Sequence, residues 1–318
     1  MKISRQHLIL FAVWALLAAG LGFAASSLAW GEVWAAALRA VPWLVGVAFL
    51  INFANAPLWG ACWYCLMGGV VPWRKLTEVQ AVVLTSVQAF SLLGGGAAAW
   101  VLATTRLGLS RSQALSLLML DQLTTGLVKV ILIATALMIV PTSPLLHVAG
   151  LAMLIGMGGF LVTLIIASKS RERIMAFADK RGGRSGHWLH LVAEWTQHIG
   201  TVRSFRYMSG AVVFMLTRRL VEGFAGWLVA LACGIDVGPE FIALVIASLA
   251  IVTIIPSPPG NVGLYEVAVV AAYQWLGIAP EPALAAALLM HAVLLIPALI
   301  PGALIALLVP GYARRGQR

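Results

Sequence analysis

Charge is scarce in this 318-residue chain: charged side chains make up 10% of it, where a soluble domain carries about a quarter. So few charges cannot clothe a water-facing surface, which excludes an ordinary soluble fold. Acidic residues are the rarer sign, 11 Asp+Glu against 21 Lys+Arg. Cysteine is limited to Cys62, Cys65 and Cys233. The first two form Cys-Trp-Tyr-Cys inside an apolar run, without the βαβ surroundings of a redox motif, so they read as buried free thiols. No Walker A, HExxH or GxSxG pattern occurs. Gly94-Gly95-Gly96 lacks the strand and Lys/Ser pair of a phosphate loop, and the six histidines show no metal-ligand spacing. These absences leave no catalytic residue, metal site or cofactor to nominate, and the basic balance without a soluble surface argues against a nucleic-acid partner. No polar stretch is long enough for a second fold, so residues 1–318 read as one integral membrane domain.

What fills the chain is apolar: 61% hydrophobic residues and a mean hydropathy of +0.97. A membrane-spanning helix needs about 20 such residues. Residues 8–30 qualify and are too long for the h-region of a signal peptide, although Ser27-Leu28-Ala29 offers a cleavage pattern; the reading is an uncleaved first span. Residues 41–67, 112–140, 147–168, 207–234 and 283–309 follow as further spans. Trp43, Trp59, Trp63 and Tyr64 fall towards the ends of the second, where an interfacial belt is expected. Between the third of these runs and its predecessor, residues 79–93 and 97–107 are apolar arms too short to cross, separated by Gly94, Gly95 and Gly96, which permit a tight reversal. Residues 241–255 and 264–276 form a second such pair around Pro256-Ser257-Pro258-Pro259-Gly260-Asn261-Val262-Gly263, where proline removes donors and fixes φ. Residues 169–206 make the one long polar loop. Trp188, Leu191, Val192, Trp195, Ile199 and Val202 recur there at helical spacing, as in a helix lying on a membrane surface.

The expected fold class is therefore an all-α polytopic membrane protein with about six full spans and two re-entrant broken-helix hairpins. With a cytoplasmic N-terminus, 17 of the 21 Lys+Arg collect on the cytoplasmic side, which predicts both termini inside. Leu107-Gly108, Ala114-Leu115-Ser116 and Leu120 recur later in the chain, at one constant offset, as Leu276-Gly277, Ala283-Leu284-Ala285 and Leu289; the same offset drops Gly94 on Gly263. Units of about 79–140 and 241–309, opening to opposite faces, make an inverted repeat. In secondary transporters that plan puts the substrate where broken helices meet.

Ionisable groups inside spans are costly and mark cavities or partners. Glu266 lies three residues after Gly263, at the start of an arm. It reads either as a carboxylate aimed into the cavity, for substrate or a coupling proton, or as a helix-start carboxylate complementing the dipole. Pro256, Pro259, Gly260, Asn261 and Gly263 line the break before it. Arg218, Arg219 and Glu222 occupy one turn of a span. They fit a lipid phosphate, or an internal ion pair with snorkelling arginines. Asp121, Gln122 and Lys129 share another span. His291 falls opposite Gln122 in the repeat and is either a packed polar group or a proton relay.

The segment Ile255-Pro256-Ser257-Pro258-Pro259-Gly260-Asn261-Val262-Gly263-Leu264-Tyr265-Glu266 resembles the signature of the flippase-like membrane domain of lysylphosphatidylglycerol synthases. By that resemblance Gly260, Gly263 and Glu266 match the motif, and Arg106 matches a basic residue after the first break. Asp121-Gln122 and His291 stand where the family commonly has an acidic-Arg pair and an arginine. The chain ends at Arg318, so the resemblance implies a membrane-only member in a bacterial cytoplasmic (inner) membrane, without aminoacyl-transfer chemistry. The expected function is a lipid flippase moving a phospholipid, glycolipid or isoprenoid lipid between leaflets, with the membrane lipid as its partner. A membrane-embedded headgroup transferase and an accessory subunit of a lipid-modifying enzyme are the alternatives, and homo-oligomerisation stays open.

Overall fold

A computed structural model describes residues 29–139, 144–181, 183, 205–252 and 259–309. Among them all regular structure is helical. The expected first span, the surface helix within 184–204, Pro256 and the basic tail lie outside the described residues.

Helix α1 (Trp30–Leu38) precedes α2 (Pro42–Ile51), which starts with proline at its first position, where the missing N–H has no intrahelical partner to lose. A 3₁₀ turn at Asn52–Ala54 separates α2 from α3 (Asn55–Leu66). Two buried asparagines explain the interruption. Asn52 Nδ2 donates to the Ala48 carbonyl at 2.9 Å, and Asn55 Nδ2 donates to the Asn52 carbonyl at 3.1 Å, so side chains compete for the backbone groups an α-helix would use. Together Pro42–Leu66 is apolar and long enough to cross a membrane.

Next comes α4 (Trp73–Thr105), 33 residues of helical bonding, about 50 Å if it ran straight. It does not. A methyl added at Gly95 would lie 3.0 Å from the Val87 Cα, whereas eight residues of straight helix span about 12 Å. Leu76, Val79 and Val83 also share one core cluster with Ala99 and Leu102, although Leu76 and Leu102 would stand about 39 Å apart on a straight rod. The chain doubles back between Val87 and Gly95. This corrects the expected gap at Gly94-Gly95-Gly96: those residues keep helical bonding, and the glycine that matters, Gly95, lets the returning arm press on Val87.

Helix α5 (Arg111–Ile139) is followed by α6 (Pro144–Lys169), α7 (Arg171–Arg181) and α8 (Phe205–Ala232). Helix α9 (Glu240–Val252) packs against α10 (Leu264–Trp275), with a 3₁₀ turn at Pro259–Asn261 between them. The last helix, α11 (Pro280–Leu308), carries Pro297 and Pro301 in its interior. At the offset expected for a repeat, the ends of α5 fall on those of α11, both being helices of 29 residues. The glycines that precede them, Gly108 and Gly277, both take positive φ. The reversal in α4 maps the same way onto the gap between α9 and α10.

Three helical stretches among the described residues are long and apolar enough to cross a membrane: Pro42–Leu66, Arg111–Ile139 and Pro280–Leu308. The core divides between two main clusters. One joins α8, α9, α10 and α11 around Phe241, Tyr273 and Met290. The other joins α3, α4, α5 and α8 around Trp63, Leu76 and Met215. Met138, Ile155 and Leu307 face outward, the inverted surface of a protein solvated by acyl chains.

Candidate functional site

The second hairpin builds its tip from unusual backbone. Gly260 (φ 68), Asn261 (φ 57) and Gly263 (φ 86) all take positive φ, a region open to glycine and tolerated by asparagine. The turn turns Gly263 N–H towards the head of α10, and Glu266 reaches back so that its Oε2 accepts that N–H at 2.7 Å. The other carboxylate oxygen, Oε1, lies 2.6 Å from His291 Nδ1 on α11. His291 Nε2 lies 2.7 Å from the Gly260 carbonyl. A ring contact closes the arrangement: Tyr265 stacks on the imidazole with centroids 4.4 Å apart. His291 is only 5% exposed. Hairpin and last helix are thus tied by two polar contacts to one histidine.

The two hairpins meet here. The 3₁₀ turn packs on α4, and a methyl at Gly260 would sit 3.7 Å from the Gln88 carbonyl oxygen, at the start of the reversal in α4. Further along, Thr85 Oγ1 donates to the Ala298 carbonyl of α11 at 2.8 Å. Gly302 marks a close approach of the two helices, for a methyl there would lie 2.5 Å from the Ala81 carbonyl oxygen.

A charged cluster adjoins this junction. Glu222 on α8 is forked between two cations one turn away, Arg218 Nη2 at 3.1 Å and Arg219 Nη1 at 2.7 Å, the spacing at which helical side chains meet. The Arg218 guanidinium also stands over the Trp59 ring, 4.5 Å from its centroid. It is 6% exposed, and its buried Nε has no hydrogen-bond partner among the described residues. Asp121 on α5, 2% exposed, accepts on one oxygen from both Trp59 Nε1 at 2.7 Å and Trp63 Nε1 at 2.9 Å. Gly226, one turn beyond Glu222 on α8, lies so close to α11 that a methyl there would meet the Met290 side chain, so the charged cluster and the His291 contacts are neighbours. Asp121 and Arg218 are buried charges of opposite sign, with Arg219 and Glu222 half-buried beside them, so neither buried charge stands without an opposite one.

The family model of the lysylphosphatidylglycerol synthase TM region matches residues 8–302. The chain belongs to that family. No curated protein matches it. Family membership and the apolar helices together make it an integral membrane protein, and the family's link to lipid is consistent with a lipid ligand.

Of the residues singled out from sequence, Gly260, Gly263, Glu266 and His291 come together at one point. Arg218, Arg219 and Glu222 form the adjoining cluster, which also holds Asp121. Asn261 belongs to the tip, and Pro259 is exposed at its start. Gln122 faces outward, its Nε2 3.5 Å from Asp121 Oδ2. Arg106 caps the C-terminus of α4, half-buried. Gly94 and Gly96 lie within helical α4. Trp59, Trp63 and Tyr265 also belong to the site, although nothing in the sequence singles them out for it as plainly. The signal for the first two is their four-residue spacing, which puts both indoles on one face of α3.

Proposed function

We propose that the protein carries an amphiphilic lipid between the two leaflets of the membrane. The observation that carries this reading is the meeting of the two hairpins, Gly260 against the Gln88 carbonyl, beside a cluster of four charged side chains of which Asp121 and Arg218 are buried. A polar headgroup crossing bare hydrocarbon costs several kcal/mol or more per charge; a path between two hairpins lined by Arg218, Glu222 and Asp121 lowers that cost. Arg218 is the group suited to an anionic headgroup, because its planar fork is incompletely used. The coincidence of α5 with α11 at the offset of the sequence repeat supports an inverted repeat, with each unit made of an arm, a reversal, a second arm and a span. In that reading the hairpins are re-entrant from opposite faces, both termini are cytoplasmic, and the membrane is a bacterial cytoplasmic membrane.

Purified protein in liposomes, offered fluorescently labelled phosphatidylglycerol, phosphatidylethanolamine, a glycolipid and an isoprenoid phosphate in turn, gives the test. A membrane-impermeant quencher then reports leaflet exchange. At least one lipid should exchange faster than in protein-free vesicles, and Arg218→Ala should abolish the gain. Equal rates with and without protein for every lipid would overturn the proposal.

A further inference from the structure

The hydrogen-bond inventory around His291 fixes a proton count. The Gly260 carbonyl can only accept, so His291 Nε2, 2.7 Å away, must carry its hydrogen. Gly263 N–H can only donate, so Glu266 Oε2, 2.7 Å away, must accept. That leaves Nδ1 and Oε1 facing each other at 2.6 Å. If the imidazole were neutral and the carboxylate ionised, two lone pairs would meet at that distance. The contact therefore requires at least one proton, carried by Nδ1 as an imidazolium or by Oε1 as a carboxylic acid. The residues facing the pair do not relieve this requirement. From α10 comes Tyr265, stacked on the ring. From α8 comes Glu222, whose charge is matched by Arg218 and Arg219. From α4 comes the neutral backbone around Gln88. Tyr273, also on α10, donates its hydroxyl to Met290 Sδ at 3.6 Å. The remaining ionisable residues of the packed helices stand at their starts: Arg74, Lys75 and Glu78 on α4, Arg206 and Tyr207 on α8, Glu240 on α9, and Glu281 on α11, ten residues or about 15 Å from His291. Helix α1, which packs on α11, brings Glu32 in its own first turn.

We propose that Glu266, His291 and the Gly260 carbonyl form a proton-binding site whose occupancy clasps the second hairpin to the last helix. Loss of the proton leaves Oε1 and Nδ1 repelling each other, and the hairpin tip separates from α11. The ligand is a proton, and the inference does not require that lipid be carried. Its sign follows from linkage: the clasped form binds one proton more than the open form, so it is favoured at low pH. Above the midpoint at which the open pair gives up its proton, the opening constant grows tenfold per pH unit for as long as the clasped pair keeps its own.

Hydrogen–deuterium exchange of the full chain in lipid nanodiscs, measured from pH 5 to pH 9 and corrected for intrinsic exchange, reads this directly. Protection over residues 259–266 and 288–294 should be high at the acid end and fall tenfold per pH unit beyond a single midpoint. Glu266→Gln should reverse the dependence, staying protected at the alkaline end and losing protection only at the acid end, because its amide nitrogen donates to a neutral Nδ1 while its oxygen still accepts from Gly263. His291→Phe, which keeps a ring against Tyr265 but has no nitrogen to protonate, should be unprotected and independent of pH. A flat wild-type profile overturns the proposal. So does a wild-type transition that persists in whichever of the two variants purifies as a folded monodisperse protein. Lipid exchange plays no part in these readings, so they stand or fall separately from transport.

Discussion

Replacing Gly95 with alanine separates a chain that doubles back from one that runs straight. In a straight helix interior, glycine to alanine stabilises by roughly 0.5–1 kcal/mol, because alanine loses less backbone freedom on folding. At Gly95 the new methyl would meet Val87, with the Cα 3.0 Å away and the side chain closer still. One arm must then shift, and forcing an extra methyl into packed structure costs about 1–3 kcal/mol. Gly95→Ala should therefore be net destabilising by up to about 2 kcal/mol. The neighbouring Gly96 has nothing within 4 Å of the same methyl, so Gly96→Ala should be stabilising by about 0.5–1 kcal/mol. The two adjacent substitutions thus carry opposite signs. Cys62 and Cys65 are buried free thiols, so unfolding in detergent can be followed with a thiol-reactive dye and no added label. If both alanines raise the unfolding midpoint alike, α4 is a straight rod and the meeting of the hairpins is wrong.

Two other perturbations test the neighbouring contacts with the same dye. Asp121→Ala strips the shared acceptor from two indole N–H groups, one on the fully buried Trp63; an unsatisfied buried donor costs about 1–3 kcal/mol, so the midpoint should drop markedly, while Asp121→Asn, which keeps a carbonyl oxygen, should drop it less. Thr85→Val keeps the shape but loses the bond to the Ala298 carbonyl, for a loss of about 1 kcal/mol. Gly302→Val, forced against Ala81 and Thr85, should cost more.

Much of this arrangement is legible in the sequence because a membrane makes periodicity coarse: spans need length and apolarity, and both are visible without neighbours. The span at 112–140 and the helix Arg111–Ile139 differ by one residue at each end. Glu266 is legible because the glycines before it announce a turn, and a carboxylate three residues into a helix has a backbone donor waiting. The join to His291 is not, since most of α10 and a helix reversal intervene and only packing brings the two side chains together. Gly94-Gly95-Gly96 misleads in placement. Glycine permits a break but also permits helix, and which it does depends on what presses against it, here Val87. Trp59 and Trp63 read as an interfacial belt, because indoles at a helix end have that use by default. Their turn towards Asp121 depends on α5 lying alongside α3, which no local pattern encodes.

The two prolines of α11 give the last helix a joint. Pro297 and Pro301 are one turn apart and so lie on the same side. Each lacks the N–H that would close the ladder behind it. Flexing at that point breaks no bond that was not already missing. At the joint itself, Thr85 and Ala81 grip the strip from Ala298 to Gly302. Above it, the segment bearing His291 is held by side-chain contacts, so whatever loosens those contacts swings a rigid lever about a fixed pivot.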